Sequence, residues 1–215
     1  MKYDEIIAKA LEVLRSGEVI LYPTDTVWGI GCDATNEAAV QKVFAIKRRS
    51  EAKSLVLLAS DLDMICRYVK EIPQIAIDLV EVNDAPMTIV YPGAMGLAPS
   101  VVAEDGSVGI RIPLVPEDLE GGRGVEPVCG ASFCKQLVRK LRRPLVSTSA
   151  NISGEPAPVH FSDVSPEISG AVDFVVPVGC GDGSGRSVSL EYGASGRASQ
   201  IIKLGLRGEV EIIRK

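Results

Sequence analysis

The sequence predicts an α/β protein, and three observations predict it. Short apolar runs of strand length alternate with stretches whose apolar residues recur at helical spacing. Glycine and proline mark the boundaries between them. Twice, at 24–29 and at 147–153, a buried strand ends in small polar side chains, where open α/β sheets place their ligands.

The elements follow in order. Residues 4–16 read as a helix, with Ile6, Ile7, Ala10, Leu11 and Leu14 on one face, Asp4 as cap and Gly17 as terminator. The apolar run 19–22 reads as a strand that Pro23 stops, because proline cannot donate to a sheet ladder. Thr24, Asp25 and Thr26 come next, then the only tryptophan, Trp28, with Gly29 and Gly31. A capped strand with a tight turn explains this stretch as well as a ligand site does. Thr35 or Asn36 is expected to cap a second helix carrying Ala39, Val40, Val43 and Phe44. That helix ends in Lys47, Arg48 and Arg49. Cations suit a helix C-terminus, but three in a row plus Lys53 exceed a cap and point to phosphate or nucleic acid.

Residues 55–59 form a strand, Ser60 opens a helix with Asp63 at capping-box spacing, and Pro73 precedes a helix reaching Val82. After a turn at 83–86, residues 87–91 form a strand containing Thr88. In 107–113, Val108, Ile110 and Ile112 alternate with Gly109 and Arg111. An arginine there needs a partner. It is either an internal carboxylate or a ligand's, bound by the planar fork, and the second is preferred. Residues 117–131 read as a glycine-rich acidic surface loop, and no P-loop occurs. Residues 133–141 form a helix with Phe133, Leu137, Val138 and Leu141 inward and Lys135, Arg139 and Lys140 outward. The strand from 144 runs into Ser147, Thr148, Ser149, Asn151 and Ser153, which can offer hydroxyls and backbone N–H groups to phosphate. Strands are expected at 174–178, 200–204 and 209–213, and 179–196 reads as a loop with a short strand at 188–190.

Composition narrows the function. Hydrophobic residues make up 46% of the 215, enough for a substantial core. A net charge of −5 and a pI near 5.1 argue against a global nucleic-acid footprint. No apolar run approaches the ~20 residues of a membrane span, and the start lacks a signal-peptide pattern. Five cysteines without C-x-x-C read as free thiols of a reducing cytoplasm. The single histidine, His160, lies in a proline-rich loop, so chemistry here is expected to rest on positioning and charge stabilisation.

The ordered set of these stretches resembles the YrdC/Sua5 family, the threonylcarbamoyl-AMP synthases. Pro23-Thr24-Asp25-Thr26-Val27-Trp28-Gly29 is similar to its P-T-[DE]-T-x-[YW]-G, and Lys47-Arg48-Arg49 to its K-x-R. Pro86-Met87-Thr88 resembles its P-x-T, 108–113 its V-x-[VI]-R-x-P, and 147–154 its S-x-S-A-N-x-S-G. Ser199-Gln200-Ile201 stands where it has S-T-I, and Arg214 where it has a terminal L-R. Arg48 and Ser50 replace the glycine and proline of its frequent K-G-R-P, and Leu58 stands where some members carry a histidine.

The resemblance implies one YrdC-like domain over 1–215, without a C-terminal extension. It implies a twisted open mixed sheet with flanking helices and a large concave, locally positive cavity. The implied reaction turns L-threonine, bicarbonate and ATP into threonylcarbamoyl-AMP and pyrophosphate, with Mg²⁺ sharing the phosphate charge. A downstream tRNA threonylcarbamoyl-transferase complex would use the product on adenosine 37, with at most weak tRNA contact by this chain. The residue-by-residue expectation makes Lys47 and Arg49 catalytic. Lys47, Arg49, Lys53, Ser107, Ser147, Ser149, Asn151 and Arg214 would hold ATP, and Thr24, Thr26, Arg111, Ser147 and Ser199 the threonine. The alternative is a non-catalytic RNA-binding or regulatory module of the same fold.

Overall fold

Strand register decides which of these side chains can meet. The structure, a computed structural model, describes residues 1–49, 55–115, 129–181, 187–191 and 193–215. Its main sheet has nine strands: β1 (Ile20–Tyr22), β2 (Gly29–Gly31), β3 (Val56–Leu58), β4 (Met87–Tyr91), β5 (Val108–Arg111), β6 (Leu145–Ser149), β7 (Phe174–Val175), β10 (Gln200–Leu204) and β11 (Val210–Arg214). The order is β11-β10-β4-β5-β3-β6-β2-β1-β7, with parallel and antiparallel pairs mixed. A separate hairpin pairs β8 (Gly179–Gly181) with β9 (Ser187–Ser189). This is the open mixed sheet with flanking helices that the sequence led us to expect.

The helices form where the apolar spacing places them. In α1 (Tyr3–Arg15), Ile6, Ile7, Ala10, Leu11 and Leu14 are buried. Lys2, not Asp4, is its cap, and its N–H donates to the Glu5 carboxylate (2.9 Å). Asn36 caps α2 (Glu37–Lys47) by accepting the Ala39 N–H (3.2 Å). Arg48 ends that helix in the left-handed region, φ +49°. The short α3 (Leu62–Ile65) is capped by Asp61 rather than opened at Ser60, and α4 (Gln74–Val82) follows Pro73. The helix α5 (Gly130–Leu141) begins three residues before the position expected from its apolar face. α6 (Pro166–Ala171), capped by Ser165, is too short to leave a periodic signature. α1 and α5 pack on each other and against β1 and β3. No helix among the described residues is long and apolar enough to cross a membrane.

The stretch Gly29–Gly31 corrects one expectation: it is a strand, not a tight turn. Glycine is a poor strand former, but β2 lies between β1 and β6, and a Cβ on Gly31 would sit 1.7 Å from the Val146 carbonyl oxygen. Only glycine permits that approach. As a result the two strand-end clusters become neighbours, Gly29 facing Ser149 across the ladder.

Candidate active site on one face of the sheet

Alternation along the strands puts one set of side chains on a common face. Thr88 lies beside Ile201, Gly109 beside Val90 and Val56, Val56 beside Ser147, and Gly29 beside Ser149. Two adjoining hollows open on this face and share Val56 and Ile201. The smaller, about 190 Å³, is lined by Thr24, Thr26, Arg49, Arg111, Ser147, Ser149, Ser199 and Arg214 among others. Eight of the predicted site residues thus meet, although they span almost the whole chain. The larger hollow, about 920 Å³, is lined by Leu55, Thr88, Val102, Asp105, Ser107, Lys203 and Ile213 among others.

The opening cluster is locked from within. Thr24 Oγ1 accepts the N–H of Thr26 (3.0 Å) and stands 2.9 Å from Thr26 Oγ1, a hydroxyl turn that holds 24–27. The carbonyls of Asp25 and Thr26 accept the N–H groups of Ser195 and Gly196 (2.8 and 2.9 Å). Trp28 donates its indole N–H to Glu191 Oε1 (2.6 Å), which also accepts the Phe161 N–H (2.7 Å). Nothing local in the sequence marks Glu191 as a partner of the tryptophan.

Arg111 has the internal carboxylate that the sequence reading ranked second. Its Nη1 donates to both oxygens of Asp25 (2.5 and 2.6 Å), and both side chains are under 5% exposed. Nη2 stands 3.3 Å from Thr26 Oγ1. Burial alone would lower the Arg111 pKa, but Asp25's charge and hydrogen bonds outweigh it and the net shift is upward. A buried strand arginine requires such a partner; that was the available signal for Asp25.

Lys47 reaches the end of β6. Its ammonium donates to the carbonyl oxygens of Ser149 and Asn151 (2.7 Å to Asn151) and reaches Asn151 Oδ1 (3.5 Å). Its own carbonyl accepts the Ser153 N–H (3.0 Å). An ammonium has three hydrogens, and these acceptors account for them. These contacts form a clip that pins the turn after β6. Burial, and then the charge of Arg49, lower the Lys47 pKa to about 8. Asn151 belongs to the same turn. Its amide donates to the carbonyls of Ile152 and Glu155 (3.0 and 2.6 Å), so it holds the turn.

The remaining predicted residues fall into place around the rim. Arg49 is half-buried, 3.5 Å from Thr148 Oγ1, and its pKa is lowered by burial. Arg214 donates from Nε and Nη2 to the Ser199 carbonyl (2.9 and 2.6 Å); burial, then the Arg111 charge, lower its pKa. Ser199 Oγ lies 2.7 Å from Thr88 Oγ1. Ser107 belongs to the larger hollow and donates to Asp105 (2.6 Å), whose other oxygen accepts from Lys203 (2.6 Å). Lys53 lies outside the described residues, as does most of the glycine-rich stretch 117–131. Among the described residues no group of three or more His, Cys, Asp or Glu could hold a metal ion. The donor set of hydroxyls and guanidinium groups suits anions.

An open mixed sheet with arginines and hydroxyls gathered on one face defines an α/β protein equipped to hold small anionic ligands there. The family model Sua5_yciO_yrdC, described as Telomere recombination, matches residues 12–119 and 128–215, and the chain belongs to that family. It is 30% identical over 200 residues to a threonylcarbamoyl-AMP synthase of Vibrio campbellii, covering 92% of this chain and 97% of that one. The fold also matches the H234A/Y235A variant of P. abyssi Sua5 at TM-score 0.76 and 24% identity over the whole chain. It matches P. abyssi Sua5 complexed with L-threonine at TM-score 0.73 and 23% identity over 95% of the chain. This chain spans 57% and 52% of those two Sua5 chains.

Proposed function

We propose that this chain is an L-threonylcarbamoyladenylate synthase. It joins L-threonine, bicarbonate and ATP into threonylcarbamoyl-AMP and pyrophosphate. Family membership and the near-full-length similarity to the Vibrio synthase support the reading. The observation that carries it is the meeting of Thr24, Thr26, Arg49, Arg111, Ser147, Ser149, Ser199 and Arg214 in one cavity beside a larger one. The smaller hollow suits an amino acid. The larger falls within the roughly 300–1,000 Å³ of small-molecule and cofactor sites and suits a nucleotide.

In the proposed reaction the threonine amine takes up bicarbonate with loss of water. The resulting carbamate oxygen attacks the α-phosphorus of ATP, and pyrophosphate leaves. The nucleophile is already an anion, so no strong base is needed. Charge that builds on the phosphoryl oxygens is met by Arg49 and Arg214. Ser147 and Ser149 of β6 hold the adenylate through their hydroxyls, next to the turn that Lys47 and Asn151 fix. Arg111 and Thr26 face the threonine. Magnesium is proposed to arrive on the nucleotide's phosphates. Delivery of the product to a tRNA threonylcarbamoyl-transferase complex in the cytoplasm, weak tRNA contact and a single-domain organisation belong to the same proposal.

The test is pyrophosphate release from ATP. It is expected only when both threonine and bicarbonate are supplied. Release without threonine would overturn the substrate assignment, and none at all with magnesium present would move the reading to the non-catalytic alternative.

A further inference from the structure

Asp25 does not line the smaller cavity; it stands behind Arg111, 3% exposed. Two other segments hold it, one through the side chain and one through the main chain. Its Oδ2 accepts the Leu114 N–H (3.3 Å), and its carbonyl accepts the Ser195 N–H (2.8 Å). Nη1 of Arg111 is committed to both Asp25 oxygens, while Nη2 lies beside the Thr26 hydroxyl on the cavity side. An unpaired guanidinium can meet a carboxylate by any edge of its fork. Here one nitrogen is already taken.

We propose that Asp25 is a positioning residue for the amino-acid substrate: it fixes Arg111 so that only the Nη2 side of the fork, next to the Thr26 hydroxyl, is offered to the substrate carboxylate. This role rests on the synthase reading, in which the smaller cavity takes the amino acid. The guanidinium charge is balanced before the substrate arrives, so recognition rests on the direction of the hydrogen bonds more than on net charge.

The experiment measures the Michaelis constants for threonine and for ATP by pyrophosphate release in Asp25→Asn and Asp25→Glu. Asp25→Asn is expected to raise the threonine KM by ~10-fold or more, the worth of a misplaced hydrogen bond to a charged group. The ATP KM should stay within about twofold, and Asp25→Glu should recover most of the loss, because carboxylate anchoring returns. Should Asp25→Asn not fold, Asp25→Glu alone decides: it keeps the ion pair but moves the guanidinium, and a threonine KM raised severalfold with the ATP KM within about twofold is expected. An unchanged threonine KM in the folded variants, or equal rises for both substrates, overturns the proposal while leaving the synthase reading intact. Wild-type protein whose pyrophosphate release ignores threonine overturns both.

Discussion

The two strand-end clusters look alike in sequence and are built differently. Residues 24–29 are buried and locked from within, by the Thr24 hydroxyl turn and by an ion pair between Asp25 and Arg111. At the end of β6, Thr148 and Ser149 are partly open to the cavity, and the turn that follows is pinned from outside by the ammonium of Lys47. The first arrangement commits most of its polar groups before a ligand arrives. The second spends a cation on backbone carbonyls and leaves the side-chain hydroxyls to the cavity. A short polar run after a strand therefore states that a site exists, but not which of its groups remain free to bind.

The largest effect should come from separating the two clusters. Gly31→Ala puts a methyl group where the Val146 carbonyl oxygen stands, so β2 must leave β6. We expect a loss of more than ~4 kcal/mol in denaturant unfolding, the size of a core backbone clash. A near-neutral variant would show that the clusters do not depend on this contact.

Next in size is Lys47→Met, which removes the pin from one cluster only. It should cost ~1.5–3 kcal/mol, because carbonyls bound to a charged donor lose it. The ATP KM should rise severalfold and the threonine KM stay near wild type. A matching pH effect checks the cause. With the folded pKa near 8 and the unfolded near ~10.4, the unfolded chain binds the extra proton between those values. Stability from this group therefore rises with pH across that window. The clip loses its charge over the same range, so the ATP KM of the wild type should climb above pH 8 and that of Lys47→Met should not. Parallel curves would assign the pH dependence to another group.

The smallest effect concerns the exit from α2. Arg48 adopts φ +49°, the conformation glycine takes most easily, at the place where the resembled motif frequently has glycine. Arg48→Gly should gain ~0.5–1 kcal/mol, since an L side chain strains there. Its ion pair with Glu167 is exposed and offsets little. A loss of stability would mean that the ion pair outweighs the strain.

Much of the fold was legible because periodicity is a local property. The burial of Ile6, Ile7, Ala10, Leu11 and Leu14, and the extent of the strand at 87–91, follow from spacing alone. The order of the sheet was not legible. Nor was β2, where two glycines disguise a strand whose existence depends on a carbonyl contributed by another segment.

By itself, the sequence determined the alternation of helices and strands, the two polar strand ends, the run of cations after α2, and the need of Arg111 for a partner. Only the tertiary structure decided that Asp25 is that partner, that Lys47 pins the turn after β6, and that Glu191 holds Trp28. The physical reason is range. Propensity and hydrophobic spacing act within a few residues, whereas a buried charge takes the nearest group of opposite sign in space, wherever the chain has brought it.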